Sequence, residues 1–597
     1  MRKTVSALIS IAFLGLGGCS RLLDSLDIAD VVASSQSGTL VSATKSESRV
    51  YDGAFPIFKI TPETLSLTIS EIPSGKSVYV ARVNPTSTEI GASGQRYVIL
   101  SASTGYRAAA ESEFKALDGA EIPRTRPMHF VAPEISLDDV RGGARNSQAY
   151  QGLQRAVAIS RKIGEQKSVF VDNDVDLSSY TSKTATLRAA GTYCNVWVVD
   201  EYYTDGAAGG AKVSSSIAAN IKDKFDRFYP VVRNIYGKEC DNLIYSYSKE
   251  STLKAAGASY PLSEYSDTGT IVNIVLYDIG ADSALPANER SGVVGYFHSK
   301  DYYSRAESAA SSIRYSNQGK YFYVDSAYSV SDFEAVISTL AHEFQHMVNF
   351  GVKNVEKGLK GTEIDTAYNE MLSMLCEDMM SEFLGLSDDR NVRSMRLPAF
   401  NTAYFVSGIR EYLGAYPALS YSTSYGFGSW LCRQYGGAAL VKEIMANSFG
   451  GNKSLVAAVN ALHSESFAFD DLFERFLLAL TGSRVYTHNQ DAEQTEQYTA
   501  DDEAYEYPMT AIDLWSEAYS YPTESNYFLV QNQLDAAYNK RESLFSGPFL
   551  FANNYAAPLR PEYGVTLHKL GETSAGEIKL TFSSSGSDGL IMYVIVQ

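Results

Sequence analysis

The chain is short of positive charge, and this shortage excludes one large class of function. Its 597 residues include 51 lysines and arginines against 69 aspartates and glutamates, a formal net charge of −18. No cluster of basic residues interrupts this acidic background. Such a surface repels phosphate, so we expect no nucleic-acid partner. The length leaves room for about three to five domains.

Cysteine is also scarce. Five cysteines in a chain of this length do not make a disulfide scaffold. Cys194 and Cys240 are the pair whose bridging we would test. Cys376 and Cys432 fall within apolar helical patterns, which predicts small buried core residues. The fifth cysteine, Cys19, belongs to the N-terminal segment.

Long apolar runs are confined to the N-terminus. A basic start, Met1-Arg2-Lys3, precedes an apolar stretch over residues 5–16, which is typical of a signal peptide and too short for a stable membrane span. The next residues, Leu16-Gly17-Gly18-Cys19, resemble a bacterial lipobox, in which cleavage leaves a lipidated cysteine at the N-terminus. We expect acyl chains on Cys19 to anchor an exported protein to the outer membrane, facing the periplasm or the cell surface. An ordinary secretory signal with a chance cysteine is the alternative.

Histidine is scarce as well, yet two of the seven stand in one motif, His342-Glu343-Phe344-Gln345-His346. Residues four apart lie one turn apart on the same face of a helix, so both imidazoles can bind one cation. The glutamate between them can reach a water bound to that cation. The motif therefore predicts a zinc site with Glu343 as the base. A pair of surface histidines with a solvated glutamate is the alternative.

The motif is predicted to lie on a capped, amphipathic helix near residues 331–350. Ser331 and Glu334 have the spacing of a capping box. Apolar side chains at helical spacing form a stripe that should face a core, with His342 and His346 on the opposite side. The stripe consists of Phe333, Val336, Ile337, Leu340, Phe344, Met347 and Val348.

A second amphipathic helix is predicted over residues 366–384, with Glu370 and Glu377 two turns apart on its polar face. A catalytic zinc takes three protein ligands and keeps one position for water, so one carboxylate from this helix completes the set. We choose Glu370, in the first turn, and keep Glu377 as the alternative. Glu377 and Asp378 are also candidates to accept the remaining imidazole N–H, which fixes the tautomer of a liganding histidine.

These two helices resemble a known family. The stretches AHEFQHMVNF, from residue 341, and NEMLSMLCED, from residue 369, resemble the hyicolysin family of metallopeptidases and, more distantly, the thermolysin-like gluzincins. The resemblance covers residues 193 to about 483. Met371 departs from the pattern, because many relatives have a small residue there. The resemblance implies zinc ligands at His342, His346 and Glu370, and a general base at Glu343.

Tyrosine supplies the last catalytic candidate. In gluzincin aminopeptidases, which the segment starting Tyr425-Gly426-Phe427-Gly428 only loosely resembles, a tyrosine donates a hydrogen bond to the transition-state oxyanion. This resemblance makes Tyr425 the candidate and Tyr421 the alternate. The chain has 41 tyrosines, and most tyrosines pack rather than react. The strand Tyr321–Asp325, just before the motif helix, is a candidate edge for an extended substrate backbone.

The distribution of strand and helix patterns predicts a multidomain α+β protein. We expect a thermolysin-like core, made of an α/β lobe and a helical lobe, between N-terminal and C-terminal β-sandwich-like domains. The predicted segments are a signal peptide (1–18), a flexible tether (19–45), a β-sandwich-like domain (46–110), a connector (111–185), the α/β lobe with the motif helix (186–355), the helical lobe (356–485) and a C-terminal β-domain (500–597).

Together these patterns predict a zinc metallopeptidase, an endopeptidase that acts on peptide or protein substrates through a zinc-activated water. The long region before Tyr193 has the length to shield the cleft. The alternative is a catalytically degenerate peptidase fold that binds a protein or glycan at the cell surface, since a fold alone does not establish activity.

Overall fold

A computed structural model describes most of the chain. Its described residues are 40–96, 98–100, 106–108, 156–175, 177, 179–244, 259–286, 290–305, 312–388, 390–414, 417–483, 497–500, 503–519, 547–551, 558–573 and 576–597. The predicted signal peptide, Cys19 and most of the predicted tether and connector lie outside these residues.

The described strands fall into three groups along the chain. The first group is β1 (Leu40–Ser42), β2 (Lys45–Val50), β3 (Ile57–Ile60), β4 (Thr64–Ile72), β5 (Ser77–Asn84), β6 (Val98–Leu100) and β7 (Tyr106–Ala108). The second is β8 (Gln166–Asp172), β9 (Tyr180–Ala190), β10 (Cys194–Val199), β11 (Asn242–Ile244), β12 (Ser259–Pro261), β13 (Val272–Tyr277), β14 (Gly295–Phe297) and β15 (Lys320–Asp325). The third is β16 (Gln497–Ala500), β17 (Glu503–Glu506), β18 (Leu550–Phe551), β19 (Gly564–Thr573), β20 (Gly576–Phe582), β21 (Ser585–Ser587) and β22 (Ile591–Val596).

The described α-helices lie between β10 and β16. They are α1 (Ser215–Tyr236), α2 (Leu262–Tyr265), α3 (Ser326–Ser331), α4 (Phe333–Asn349), α5 (Thr366–Leu384), α6 (Val392–Ala403), α7 (Pro417–Tyr435), α8 (Ala438–Ala446), α9 (Gly451–His463) and α10 (Phe469–Leu480). A π-helical segment, Phe350–Glu356, continues α4.

The middle of the chain forms a six-stranded mixed sheet in the order β14-β15-β13-β10-β9-β8. Three of the four inner strands, β10, β13 and β15, are parallel and fully buried, as expected for strands covered on both faces. Helices α1 and α4 pack on one face, where Phe225 and Phe344 meet edge to face at 5.2 Å. This packing places the motif helix beside the edge strand β14.

Helix α5 packs against α4 on one side and against α7 on the other. The contact with α7 accommodates Met371, the residue that departs from the family pattern. A Cβ at Gly428 of α7 would lie 2.3 Å from the Met371 Cγ, so the glycine makes room for the larger side chain. Met371 therefore fills a helix contact instead of altering the site.

The two ends of the chain form one β-sandwich, which corrects the expectation of separate N-terminal and C-terminal β-domains. One sheet runs β18-β19-β5-β22-β3, with β7 beside β19, and the other runs β2-β4-β20-β6. In the first sheet Asn84 is paired with Gly564. One face of this sheet packs on the other sheet, and its opposite face joins the core of the helices. Because β5 is hydrogen-bonded to both β19 and β22, the strands from the two ends share one sheet and one apolar interior.

Other boundaries also shift. Strand β8 and the start of β9 belong to the central sheet, so this sheet begins inside the predicted connector. Leu40–Ser42, at the end of the predicted tether, pairs with β21. The mixed α+β class is confirmed by this architecture. The likeness to thermolysin stays a prediction.

All four described cysteines, Cys194, Cys240, Cys376 and Cys432, are buried free thiols. The bridge considered between Cys194 and Cys240 is therefore not formed, and Cys376 and Cys432 are core residues as predicted. None of the helices in the described ranges has both the length and the apolar character needed to cross a membrane.

Candidate metal centre

The motif helix α4 begins at Phe333, and its cap differs from the predicted one. Asp332 occupies the N-cap, and its side chain accepts a hydrogen bond from the Ala335 N–H at 3.4 Å. The capping box expected from Ser331 and Glu334 is therefore wrong, because Ser331 ends the preceding helix α3. The predicted apolar stripe is confirmed in its central residues, such as Leu340 and Phe344, which are fully buried.

Helices α4 and α5 bring His342, His346 and Glu370 together. The His342 Nε2 lies 3.0 Å from the Glu370 Oε2, and the His346 Nε2 lies 3.2 Å from the Glu370 Oε1. One ligand atom from each residue lies within 4.8 Å of the other two, and all three side chains are buried. Two nitrogens and one carboxylate oxygen in such a group form a set of donors that a catalytic zinc accepts.

The charges of the cluster are coupled. Burial lowers the pKa of His346, but the neighbouring Glu370 carboxylate outweighs burial and raises this pKa to about 9. Burial raises the pKa of Glu370, but the two histidines outweigh it and hold this pKa well below its usual value. These charges favour a proton on His346 that balances the Glu370 carboxylate. A bound cation would take over that role and release the proton.

Glu377 lies behind His342, where a carboxylate was expected to fix the tautomer. Its Oε1 is 2.8 Å from the His342 Nδ1, and its Oε2 accepts a hydrogen bond from the Ser338 hydroxyl at 2.5 Å. Because Nδ1 donates to this carboxylate, Nε2 is left to face Glu370. Glu377 thus contacts the Nδ1 side of the His342 ring, and Glu370 contacts the Nε2 side, where the metal would bind.

Ser373 stands behind His346 in a comparable way. Its Oγ lies 3.1 Å from the His346 Nδ1, and its hydroxyl donates to the Gln345 side chain. Neither Ser338 nor Ser373 was identified from the sequence. The sequence nevertheless contains a clue to each. Ser338 is one helical turn before His342, and Ser373 is three residues after Glu370 in the stretch Asn-Glu-Met-Leu-Ser.

Asp378 and Tyr425 belong to a different network from the one predicted. The Tyr425 hydroxyl donates to the Asp378 Oδ2 at 2.8 Å, and the Arg433 Nη1 lies 2.8 Å from the same oxygen. All three residues are buried. The side-chain contacts of Asp378 are therefore with Tyr425, Arg433 and Arg393, not with a liganding histidine. This arrangement commits the Tyr425 hydroxyl to a structural bond and replaces the expectation of an oxyanion donor at this position.

The alternate tyrosine, Tyr421, lies one turn earlier on α7 and is fully buried. Burial raises its pKa well above the usual value, and the charge of Glu370 acts in the same direction. Tyr412, in the loop before α7, hydrogen-bonds to Tyr421, and burial with the charge of Glu370 raises its pKa to about 12. The two rings lie 5.9 Å apart. The charge of Glu370 thus acts on Tyr421 and Tyr412, whereas the charges that act on Tyr425 are those of Asp378, Arg433 and Arg393.

The Glu343 side chain extends from α4 toward the edge strand β14. Its Oε2 accepts a hydrogen bond from the backbone N–H of Phe297 at 2.7 Å. Strand β15, Lys320–Asp325, lies between β14 and β13, so it is an inner strand and the prediction that it forms a substrate edge is wrong. The edge on this side of the described sheet is β14, a strand of three residues that lies within the apolar run at 292–297.

Comparison with known proteins agrees with this geometry. The family model for peptidase M30 matches residues 178–520, more than half of the chain. The chain belongs to the peptidase M30 family. The match confirms the predicted resemblance to the hyicolysin family. The M30 segment includes the helices α1 to α10 and the whole cluster described above.

A curated relative of this chain is the neutral metalloprotease ShpI of Staphylococcus hyicus. It is 26% identical over 307 residues, which are 50% of this chain and 58% of the relative. The chain thus matches somewhat more than half of the length of that relative.

Proposed function

We propose that this M30 family member is a zinc-dependent metallopeptidase that cleaves peptide bonds within protein substrates. The observation that carries the proposal is the buried group of His342, His346 and Glu370, with Glu343 on the same helix as the histidines. The name of the Staphylococcus relative, a neutral metalloprotease, supports the same class of reaction. We also infer that the central sheet and the helices after α4 are the two lobes of a thermolysin-like core.

The donor set fits zinc in particular. Imidazole nitrogen and carboxylate oxygen are both ordinary zinc ligands, whereas calcium and magnesium prefer oxygen alone. A set of three protein ligands is also typical of catalytic zinc, because structural zinc sites usually have four. Glu370 is the proposed third ligand, since Glu377 already accepts from the far side of the His342 ring.

Each side chain then has a defined task. Zinc held by His342, His346 and Glu370 would polarise the scissile carbonyl and supply a water that is nucleophilic near neutral pH. Glu343 takes a proton from that water and passes it to the leaving amine. Glu377 keeps the His342 ring in the tautomer that presents Nε2.

A hydrogen-bond donor for the oxyanion is the remaining requirement. Tyr421, the alternate candidate from the sequence, is now the first choice, with Tyr412 as its hydrogen-bonded neighbour. Burial and the nearby carboxylate keep both phenols protonated at neutral pH, so each retains a proton to donate.

The test compares Glu343→Gln with His346→Ala. We expect purified wild-type protein to contain about one zinc per chain and to cleave casein until a chelator is added. Glu343→Gln should keep the metal and lose hydrolysis, because the amide cannot take a proton. His346→Ala should lose both. Retained casein cleavage in Glu343→Gln contradicts the mechanism, and wild-type protein without zinc favours a degenerate binding protein instead.

We further propose that the enzyme is an exported lipoprotein, anchored to a bacterial membrane at Cys19. The support is the leader at residues 1–18 followed by Leu-Gly-Gly-Cys. In a lipoprotein-processing bacterium the full chain should partition into the detergent phase, and Cys19→Ala should remain in the aqueous phase. Equal partitioning of the two proteins contradicts the anchor.

A further inference from the structure

The hydrogen bond between Glu343 and the edge strand is donated by a backbone N–H that points away from the neighbouring strand β15. Strand β14 pairs antiparallel with β15, with Tyr296 opposite Tyr323 and Phe297 opposite Phe322. The Phe297 N–H is directed at the Glu343 carboxylate instead, at 2.7 Å. Both residues are buried, at 7% and 0% exposure, so water competes little for this bond.

Gly295 is the residue that lets the strand come this close to the helix. A Cβ at this position would lie 2.7 Å from the Thr339 Cγ2 and 2.7 Å from the Tyr323 carbonyl oxygen, and 3.7 Å from the Glu343 Cγ. The first two distances are far below van der Waals contact. Thr339 and Glu343 are one turn apart on α4, so Gly295 sits against the turn that carries the glutamate. The glycine is needed here for space, because its φ is not positive.

We propose that the Phe297 N–H positions the Glu343 carboxylate for catalysis and that Gly295 sets the distance at which it does so. This inference rests on the proposed peptidase function. A glutamate side chain has three rotatable bonds, and a carboxylate that samples several orientations meets the metal-bound water less often. An N–H can only donate, so the bond fixes one carboxylate oxygen as an acceptor and orients the group. The strand is held in turn by the sheet, which gives the base a rigid support.

The inference predicts a specific effect of one added methyl group. Gly295→Ala places that methyl against the Tyr323 carbonyl, which belongs to the inner strand β15 and cannot move easily. The edge strand should therefore shift away from α4, and the Phe297 N–H should leave Glu343. The metal ligands come from α4 and α5 and are not touched by the change.

The experiment compares wild-type protein with Gly295→Ala, Thr339→Ser and the double variant. In Gly295→Ala we expect kcat on a quenched fluorescent peptide to fall about 10- to 100-fold, with KM and zinc content nearly unchanged. Thr339→Ser removes only the methyl that the new Cβ would meet and should behave like wild type. The double variant should recover part of the lost kcat. A kcat within twofold of wild type in Gly295→Ala, or a loss that accompanies loss of zinc, overturns the inference.

Two further measurements test the inference even if Gly295→Ala folds poorly. They also distinguish failure of this inference from failure of the proposed function. Replacing the Phe297 amide by an ester, with phenyllactate at this position, removes the donor and keeps the side chain, and should lower kcat by a similar factor. The Phe297 amide proton in phenylalanine-labelled protein should move upfield in Glu343→Ala. An unmoved resonance contradicts the bond itself. If the resonance does move but the wild-type protein shows no hydrolysis that a chelator inhibits, the bond is present and the peptidase proposal is wrong. The positioning role then fails with it.

Discussion

The candidate metal centre and the terminal β-sandwich are stabilised in opposite ways. The centre buries two imidazoles and three carboxylates, His342, His346, Glu343, Glu370 and Glu377, and each has a polar neighbour at hydrogen-bond distance. The interior of the sandwich is mostly apolar, from Phe58 and Ile60 at one end of the chain to Met592 and Val594 at the other, although its first sheet also buries Arg82 and His568. Buried charges add little to stability, whereas buried apolar surface is the main favourable term. We therefore expect substitutions in the centre to affect the proposed chemistry more than stability, and substitutions inside the sandwich to affect stability first.

The two regions also differ in how far apart their partners lie in the chain. Glu370 follows His346 by 24 residues, so one short connection links the two helices of the centre. Gly564 pairs with Asn84, which is 480 positions earlier. The sandwich thus closes only when both ends of the chain have been made, and the M30 segment lies between them. The difference suggests substitutions that separate chemistry from stability.

The largest effect should come from substitutions of Glu370 and Glu377 on α5. Glu370→Gln removes the proposed anionic ligand and should reduce zinc content and hydrolysis to the level of chelated protein. Glu377→Gln leaves the three ligands in place and weakens only the support of His342, so zinc affinity or kcat/KM should fall about 10- to 100-fold. Metal analysis and peptide hydrolysis measure both. If Glu377→Gln is the more damaging change, the assignment of ligand and support must be reversed.

A charge placed inside the sandwich should have the next largest effect, and on stability. Val594 is fully buried between the two sheets, so Val594→Asp buries an unpaired carboxylate and should cost at least about 3 kcal/mol. Lys579→Asp places the same side chain at an exposed position of β20 and is the matched control.

Calorimetry decides whether the sandwich unfolds with the rest of the protein. Tyr593 and Ile595, the neighbours of Val594 on β22, belong to the core shared with the helices. We therefore expect one unfolding transition at a lower temperature in Val594→Asp, and a loss of zinc that follows unfolding. Two separate transitions, with the zinc-containing one unchanged, would show that the sandwich is an independent domain.

The same contrast explains what could be predicted from the sequence. Helical periodicity places α5 at its observed ends, Thr366–Leu384, because the pattern repeats within a few residues. The residues that meet in the cluster could be named in advance for the same reason. The pairing between β5 and β19 joins residues far apart in the chain, so no short-range pattern in the sequence indicates it. The two β-rich ends are for this reason predicted as two separate domains. The bond from Phe297 to Glu343 was equally hidden, because its donor is a backbone N–H that every residue except proline carries.

The smallest expected effect separates two tyrosines on one face of α7. Tyr425→Phe removes the hydrogen bond to Asp378, and a bond to a charged partner contributes about 1.5–3 kcal/mol, so the unfolding midpoint should fall while kcat stays within about twofold. Tyr421→Phe is the comparison at the same spacing. It should lower kcat because the proposed oxyanion donor is lost, and it should lower stability less because its hydrogen bond is to the neutral Tyr412 and not to a carboxylate. The substitutions have the same chemistry, one hydroxyl lost from a buried ring, so only the position differs. A lower kcat in Tyr425→Phe without loss of stability would return the oxyanion role to Tyr425 and place the Asp378 network within the catalytic site.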